Sequence, residues 1–233
     1  MNFANVKSIA IFEGNVKKIT ANGVALWQKV TSRIPAEYQE VEWIQAGTGI
    51  GIYFDLGFTF DTAARIKIGM YCIDTNPSYL FGAAENSGKY RCMISAPYNG
   101  TKTAFVYGYT GSSYGSVSGN LVSGFNDLEY INKQGHLGVT NTTTGSINKS
   151  TNNVATTMTS NLYLFAQNYN GSARYGAYRK ISYFQYYDKN DTLICDLVPC
   201  YRKSDNTIGM YDIVRKTFLT KKGSGSFTKG ADV

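Results

Sequence analysis

The chain has one histidine, four cysteines and four prolines among its 233 residues, and only 17% of the residues are charged. A Cys/His zinc site needs several ligands at fixed spacing. His136 stands alone, and Cys72, Cys92, Cys195 and Cys200 contain no C-x-x-C pair, so no such site is expected. Two readings of the thiols remain: buried apolar side chains, or a Cys195–Cys200 disulfide. Long apolar runs are missing as well. The stretch Leu162 to Ala166 is among the longest, far short of the roughly 20 residues of a membrane-spanning helix, so no membrane partner is expected. Met1 to Gly14 lacks a charged start, a long apolar core and a small-residue cleavage site, which predicts no secretory export by that route and a reducing compartment for folding.

In their place stand 19 tyrosines, 12 phenylalanines and 24 glycines, with Ser, Thr and Asn between short apolar runs. This mixture favours strands and turns. Alternation is the clearest signal. In Ile52-Tyr53-Phe54-Asp55-Leu56, residues 52, 54 and 56 fall on one side, and from Arg65 to Cys72 the even positions are apolar. Each pattern predicts a strand with one buried and one wet face. Further strands are expected at Ser78–Phe81, Tyr90–Ser95, Lys102–Tyr107, Asp127–Asn132, His136–Thr140, Asn161–Gln167, Lys180–Asp188, Thr192–Pro199, Gly209–Ile213 and Thr217–Leu219. So many strands predict two packed antiparallel sheets, because one open sheet would leave a large apolar face in water. The polar stretches Gly108–Gly124 and Thr140–Ser160 read as long surface loops or edge strands of the same domain.

Residues 1–33 read as a separate N-terminal β-meander. It comprises Val6–Phe12, a turn at Glu13-Gly14-Asn15, Val16–Ala21, an Asn22-Gly23 hairpin turn and Val24–Gln28. Three short strands with few large apolar side chains need something to pack on, which makes Val24, Leu26 and Trp27 candidates for docking to another subunit. Lys29 to Pro35 is a polar connector, and residues 34–233 form the main domain.

The formal charge of +7 suits attraction to anionic polymers. Nucleic acid is not the expected partner, because the basic residues come singly or in pairs such as Lys17-Lys18 and Lys221-Lys222, with no accompanying recognition motif.

Several separated segments resemble laminin-G-like, concanavalin A-like domains of phage and prophage structural proteins from Gram-positive bacteria. Tyr38-Gln39-Glu40-Val41-Glu42-Trp43-Ile44 followed by Tyr53-Phe54-Asp55-Leu56-Gly57 is similar to their opening "Y-x-E-V-E-Y-I … Y-I-D-T-G". Leu80-Phe81-Gly82 matches an "LFG" strand, and Asn161 to Ala166 matches "N-I-Y-L-F-A". Asp196 to Asp205, Gly209-Met210-Tyr211-Asp212 and Gly223 to Thr228 follow in order. The likeness spans roughly residues 37–228 and is weakest between 96 and 160. The opening meander resembles a segment at the start of phage tail and other virion proteins. The resemblance implies an all-β, two-sheet antiparallel jelly-roll sandwich. It also implies a virion location, assembly in the host cytoplasm, other phage structural proteins and further copies of the chain as partners, and bacterial surface polysaccharide as ligand.

Enzymes on this sandwich carry an E-x-D-x-x-E strand that sets an acid near a nucleophile, and the chain has none. Glu40 and Glu42 are the nearest approach, sharing a strand face without a third carboxylate. His136 has no evident nucleophile and acid beside it, and the glycine clusters lack a phosphate-loop Lys. No catalytic residue is therefore assigned, and glycoside hydrolysis stands as the remote alternative. No cofactor is expected. For calcium, Asp188, Asp191 and Asp205, near Asn190 and Asn206, are secondary candidates, with turn capping as the competing role. Tyr98, Tyr107, Tyr109, Tyr114, Tyr169, Tyr175 and Tyr178 sit in polar surroundings, where an aromatic face can cover the C–H side of a sugar while neighbours bind its hydroxyls. Arg174 and Arg179 are the candidate ionic contacts to acidic sugars. The competing role for these tyrosines is to cover sheet faces or subunit contacts, which suits a purely structural virion protein.

Overall fold

Ile52, Phe54 and Leu56 are buried while Tyr53, Asp55 and Gly57 are not, so the alternation in the sequence becomes the pleat of a strand. Ile66, Ile68 and Met70 are wholly buried and Cys72 is 2% exposed. Each such aliphatic side chain withdrawn from water contributes on the order of 1.5–3 kcal/mol. The computed structural model describes residues 18–21, 24–28, 32–47, 51–61, 64–73, 79–85, 90–95, 102–110, 113–133, 136–150, 158–174, 176 and 178–233. In the strands between 18 and 28, and in parts of those between 90 and 150, it describes the backbone alone.

The chain divides into two compact units, Met1–Pro35 and Ala36–Val233. In the first, β1 (Lys18–Ala21) pairs antiparallel with β2 (Val24–Gln28). The register shifts between Ile19 and Thr20, leaving Leu26 as the extra residue of a bulge. The expected strand Val6–Phe12 and the Asn22-Gly23 turn lie outside the described residues.

The second unit opens with β3 (Tyr38–Glu40), β4 (Ile44–Ala46), β5 (Phe54–Thr59), β6 (Arg65–Cys72), β7 (Tyr79–Glu85), β8 (Tyr90–Ser95), β9 (Thr103–Thr110) and β10 (Ser113–Asn120). Next come β11 (Gly124–Lys133), β12 (His136–Asn141), β13 (Ser146–Ser150), β14 (Asn161–Leu164), β15 (Gln167–Tyr169) and β16 (Ser172–Arg174). It closes with β17 (Lys180–Tyr187), β18 (Leu193–Arg202), β19 (Thr207–Asp212), β20 (Thr217–Thr220) and β21 (Phe227–Lys229). One sheet has eight strands, in the order β10-β9-β8-β7-β14-β5 with β15 and β16 attached. The other has eleven, in the order β13-β12-β11-β6-β17-β18-β19-β20 with β3, β4 and β21 attached.

The inward rows of the two sheets make one core. Phe81 of the smaller sheet meets Tyr130 and Phe184 of the larger edge-on, with ring centroids 5.6 and 5.8 Å apart. Edge-to-face rings of this kind add about 0.5–1.5 kcal/mol beyond burial. The polar stretches expected as loops or edges hold the edge strands β10 and β13. All four cysteines are free and buried, so Cys195 and Cys200 form no disulfide.

The expected strand 161–167 breaks at Phe165, which takes φ = 70°. Its N–H donates to the Leu80 carbonyl at 2.7 Å and its ring is wholly buried beside Phe54 and Phe227. Burial of the ring offsets the roughly 1–3 kcal/mol cost of left-handed backbone. The reversal lets β15 run parallel to β7, alongside the half that β14 leaves unpaired.

The start and the end of this unit lie side by side. Val41 bridges Asp232, Glu42 N–H donates to the Ala231 carbonyl at 3.0 Å, and Val233 N–H donates to the Glu40 carbonyl at 3.0 Å. Strand β3 ends at Glu40, so Glu40 and Glu42 do not share a continuous strand face as expected. Glu42 is exposed and accepts the Ala231 N–H at 3.4 Å.

Candidate ligand-binding faces

The core-distal face of the eight-stranded sheet gathers much of the tyrosine. Leu162 and Leu164 point inward, so Tyr163 points out, and register sets it opposite Asp55 on β5 and Gly82 on β7. The row continues through Met93 to Tyr107 and Ser116. The next row in phase runs Ala84, Arg91, Tyr109, Tyr114. Three sequence candidates, Tyr107, Tyr109 and Tyr114, thus occupy register positions in phase with Tyr163; their side chains lie outside the described residues. Tyr169 pairs with Ala84 through the parallel β15–β7 contact, and Arg174 pairs with Gln167 across the hairpin.

Where side chains are described, this face is ordered. The Arg174 guanidinium lies 3.8 Å from the centroid of the Tyr169 ring, a cation–π contact of about 0.5–1 kcal/mol at an exposed site. Tyr53 and Tyr163 stack at 4.2 Å with rings 21° apart. Burial, then the contact with the Tyr53 hydroxyl, push the Tyr163 phenol up to about 12. Asp55 accepts from the Asn161 side chain at 2.9 Å, while the Asn168 side chain donates to the Asn161 carbonyl at 2.8 Å and accepts from Gly171 N–H at 2.8 Å. Asn170 and Gly171 take positive φ, as the Asn-Gly turn requires. Tyr53 and Tyr163 were not singled out from sequence as site residues.

The remaining sequence candidates scatter. Tyr178 is 40% exposed. Arg179 corrects the sequence reading: it is wholly buried and donates from Nη1 to the Tyr178 carbonyl at 2.7 Å, so it is not a surface contact for an acidic sugar. Tyr98 and Tyr175 lie outside the described residues, as do the side chains of His136, Val24, Leu26 and Trp27. The three aspartates considered for calcium each have a structural partner. Asp188 accepts from the N–H groups of Asn190 and Thr192 at 2.8 and 2.9 Å, and Asp191 pairs with Arg65 at 2.7 Å. Asp205 takes both arms of Arg202, at 3.1 and 2.6 Å, and accepts from Thr207 N–H at 3.0 Å. The Arg202 contact holds the Asp205 carboxyl well below the usual range. Among the described residues no cluster of three or more metal-ligating side chains occurs.

The core-distal face of the larger sheet carries a carboxylate pair that sequence reading passed over: Asp127 and Glu129 alternate on β11. Both are held. Tyr183 lies across Gly69, where a Cβ would come within 2.6 Å of the ring, and donates its hydroxyl to Asp127. Burial and that carboxylate push the Tyr183 phenol well above its ordinary range. Glu129 accepts from Arg65 at 3.0 Å, and Arg65 also covers the Tyr187 ring at 3.7 Å.

With both layers and their outer faces laid out, comparison with solved structures fixes the architecture. A heptameric SAP-like pentraxin from Limulus polyphemus superposes with a TM-score of 0.53 at 11% identity, over 82% of this chain and 95% of that one. The chain shares the pentraxin fold. That is the concanavalin A-like jelly-roll sandwich expected from the sequence. Domains LG4-5 of the mouse laminin alpha1 chain match with a TM-score of 0.48 at 10% identity, over 72% of this chain and 48% of that one. Tailspike protein 2 of the Escherichia coli bacteriophage CAB120 matches with a TM-score of 0.37 at 11% identity, over 66% and 26%. The chain thus spans less than half of the laminin structure and about a quarter of the tailspike. No family model matches the sequence, and no curated protein matches it.

On the pentraxin-like sandwich, the two outer faces offer different chemistry. On the core-distal side of the smaller sheet, Tyr163 is 6% exposed beneath Tyr53, and the Tyr169 ring lies against the exposed Arg174 guanidinium. The larger presents carboxylates already engaged by Arg65 and Tyr183.

Proposed function

We propose that the chain is a non-enzymatic, lectin-like module of a phage virion, whose smaller sheet binds bacterial surface glycan. The observation that carries this reading is the pairing of Tyr169 with the exposed Arg174, on the core-distal side of the sheet whose register also holds the positions of Tyr107, Tyr109 and Tyr114. Tyrosine covers the apolar side of a sugar ring at low entropic cost, while Arg174 and the neighbouring Asn168–Gly171 turn supply polar groups. Contacts of this kind are individually weak, and repeated copies on one particle make attachment effective. The virion context and the docking role of residues 1–33 rest on the motif resemblance in the sequence. The reading as non-enzymatic is supported by the engagement of Asp127 and Glu129 by Tyr183 and Arg65. A glycan array probed with the full-length chain and with Tyr169→Ala tests the reading. Binding to host-wall polysaccharide that falls in the variant supports it, and no binding to any glycan overturns it.

A second reading, a structural virion subunit without sugar binding, is favoured by exposed apolar residues where β6 ends and β11 begins. Ile73, Val122 and Phe125 are 47, 37 and 39% exposed, and Phe125 meets Tyr71 edge-on at 5.4 Å. A patch of this kind suits contact with a neighbouring subunit.

A further inference from the structure

Away from the tyrosine face, a cavity of about 260 Å³ opens between the start of β19 and the segment joining β20 to β21, lined by Asn206, Thr207, Ile208, Lys221, Ser226 and Phe227. Its floor is fixed by the core. Phe227 is 6% exposed and stacks on Phe54 at 4.7 Å with the rings 3° from parallel, and Ile208 packs against the same cluster. Its rim depends on left-handed backbone at Asn206 (φ 55°), Gly223 (φ 73°) and Gly225 (φ 106°). Gly223 passes Gly51 so closely that a Cβ there would overlap the Gly51 carbonyl oxygen, which only glycine permits. Gly47 N–H holds the Ser226 carbonyl at 3.0 Å. The walls are therefore set by the backbone of the fold itself.

Most of the polar groups around this floor are uncommitted. Among the described residues, the side chains of Asn206, Ser226 and Lys221 make no hydrogen bond or ion pair, while the Thr207 hydroxyl is turned to Asp205. The neighbouring carboxylate, Asp205, is neutralised by its two contacts with Arg202, so Lys221 sets the sign of the charge at the mouth. An apolar floor, hydroxyl and amide groups above it and one free cation are complementary to a molecule with a C–H face, several hydroxyls and a single negative group. The volume lies below the roughly 300–1,000 Å³ of drug-sized pockets, which suits one sugar residue or a short polyol.

We propose that this cavity binds a small polyhydroxylated anion, a sugar or polyol bearing a carboxylate or phosphate. Lys221 takes the anionic group, Asn206 and Ser226 take the hydroxyls, and Ile208 and Phe227 carry the C–H face. The site is separate from the tyrosine face and does not depend on it.

Amide shift mapping by NMR on the full chain, titrated with glucuronate and with glycerol 3-phosphate, and with glucose and glycerol as neutral counterparts, tests the proposal. The expected result is saturable shifts at residues 206–208, 221 and 226 with an anion, weakening as salt is added, and little response to the neutral compounds. Lys221→Gln should weaken binding about tenfold, the loss of one charge-assisted contact. Lys189→Gln, at an exposed lysine outside the cavity, should leave it unchanged. Binding of only one of the two anions supports the proposal and names the group. No saturable shift, equal response to neutral and anionic probes, or undiminished binding by Lys221→Gln would overturn it.

Discussion

Arg215 joins the two sheets through Asp212. The Asp212 carboxylate, wholly buried at the end of β19, accepts from the N–H groups of Val214 and Arg215 at 2.9 and 3.0 Å and from the Arg215 Nε. The far side of the same guanidinium donates from Nη1 to the Leu56 carbonyl of the opposite sheet at 2.6 Å. Asp212 thus gives the Gly209-Met210-Tyr211-Asp212 motif a physical role: it orients the cation that ties β5 to the larger layer.

Asp212→Ala should therefore cost about 2–3 kcal/mol, less than the full loss of a buried pair because Arg215 remains 31% exposed. Urea denaturation of the variant against the parent chain measures it. Burial opposes ionisation of Asp212, but the Arg215 N–H and guanidinium outweigh it and hold the carboxyl below its ordinary value of 3.8. A depressed folded-state value means that the stabilisation is complete above pH 3.8 and is lost as pH falls from there through the folded value. Acid unfolding of the parent chain should show this loss, and the variant should lack that component.

A second expectation concerns Gly69. A Cβ there would lie 2.5 Å from the Ser182 hydroxyl and 2.6 Å from the Tyr183 ring. Gly69→Ala should push Tyr183 off Asp127 and cost about 1–3 kcal/mol, the range for overpacking. Tyr183→Phe, which removes only the hydroxyl, should cost less. Melting of the two variants separates the steric part from the hydrogen bond.

Asn141 links two turns. Its side chain donates to the Asn120 carbonyl and to Asn126 Oδ1, each at 2.9 Å, while Asn126 closes the 122–124 turn with its own amide. Both asparagines are buried. Asn141→Ala leaves acceptors without donors away from water and should cost about 1–3 kcal/mol, with hydrogen exchange rising first at residues 120–126.

The thiols offer a count. Burial pushes Cys92 and Cys195 well above the ordinary range and Cys200 up to about 12, so none should be reactive in the native chain. A thiol reagent should titrate no groups before denaturation and four after it. Two after denaturation would mean that one pair of the four had joined.

Local pattern was readable where one face of a strand is buried. Ile52–Leu56 and Arg65–Cys72 follow from alternation alone, because a shift of one residue would expose a whole apolar row. Phe165 was not readable: nothing local announces left-handed backbone at a phenylalanine, which is held there by Phe54 and Phe227 from distant strands. Arg179 was misread for the same reason, since its burial depends on what packs over it. The pair Asp127–Glu129 was visible in principle as alternating acids, but their engagement by Arg65 and Tyr183 comes from other strands. Among the sugar candidates, composition marked the tyrosines, and only the β9–β10 and β7–β15 registers brought several of them into phase.

The adjacency of Val41 and Asp232 closes the sandwich into something near a ring. Residues 40–42 and 231–233 already lie within hydrogen-bonding distance, so a short peptide could join them while new ends are opened at an exposed turn such as Thr142–Gly145. Such a circular permutant would keep both layers and both outer faces while moving the point at which residues 1–35 attach.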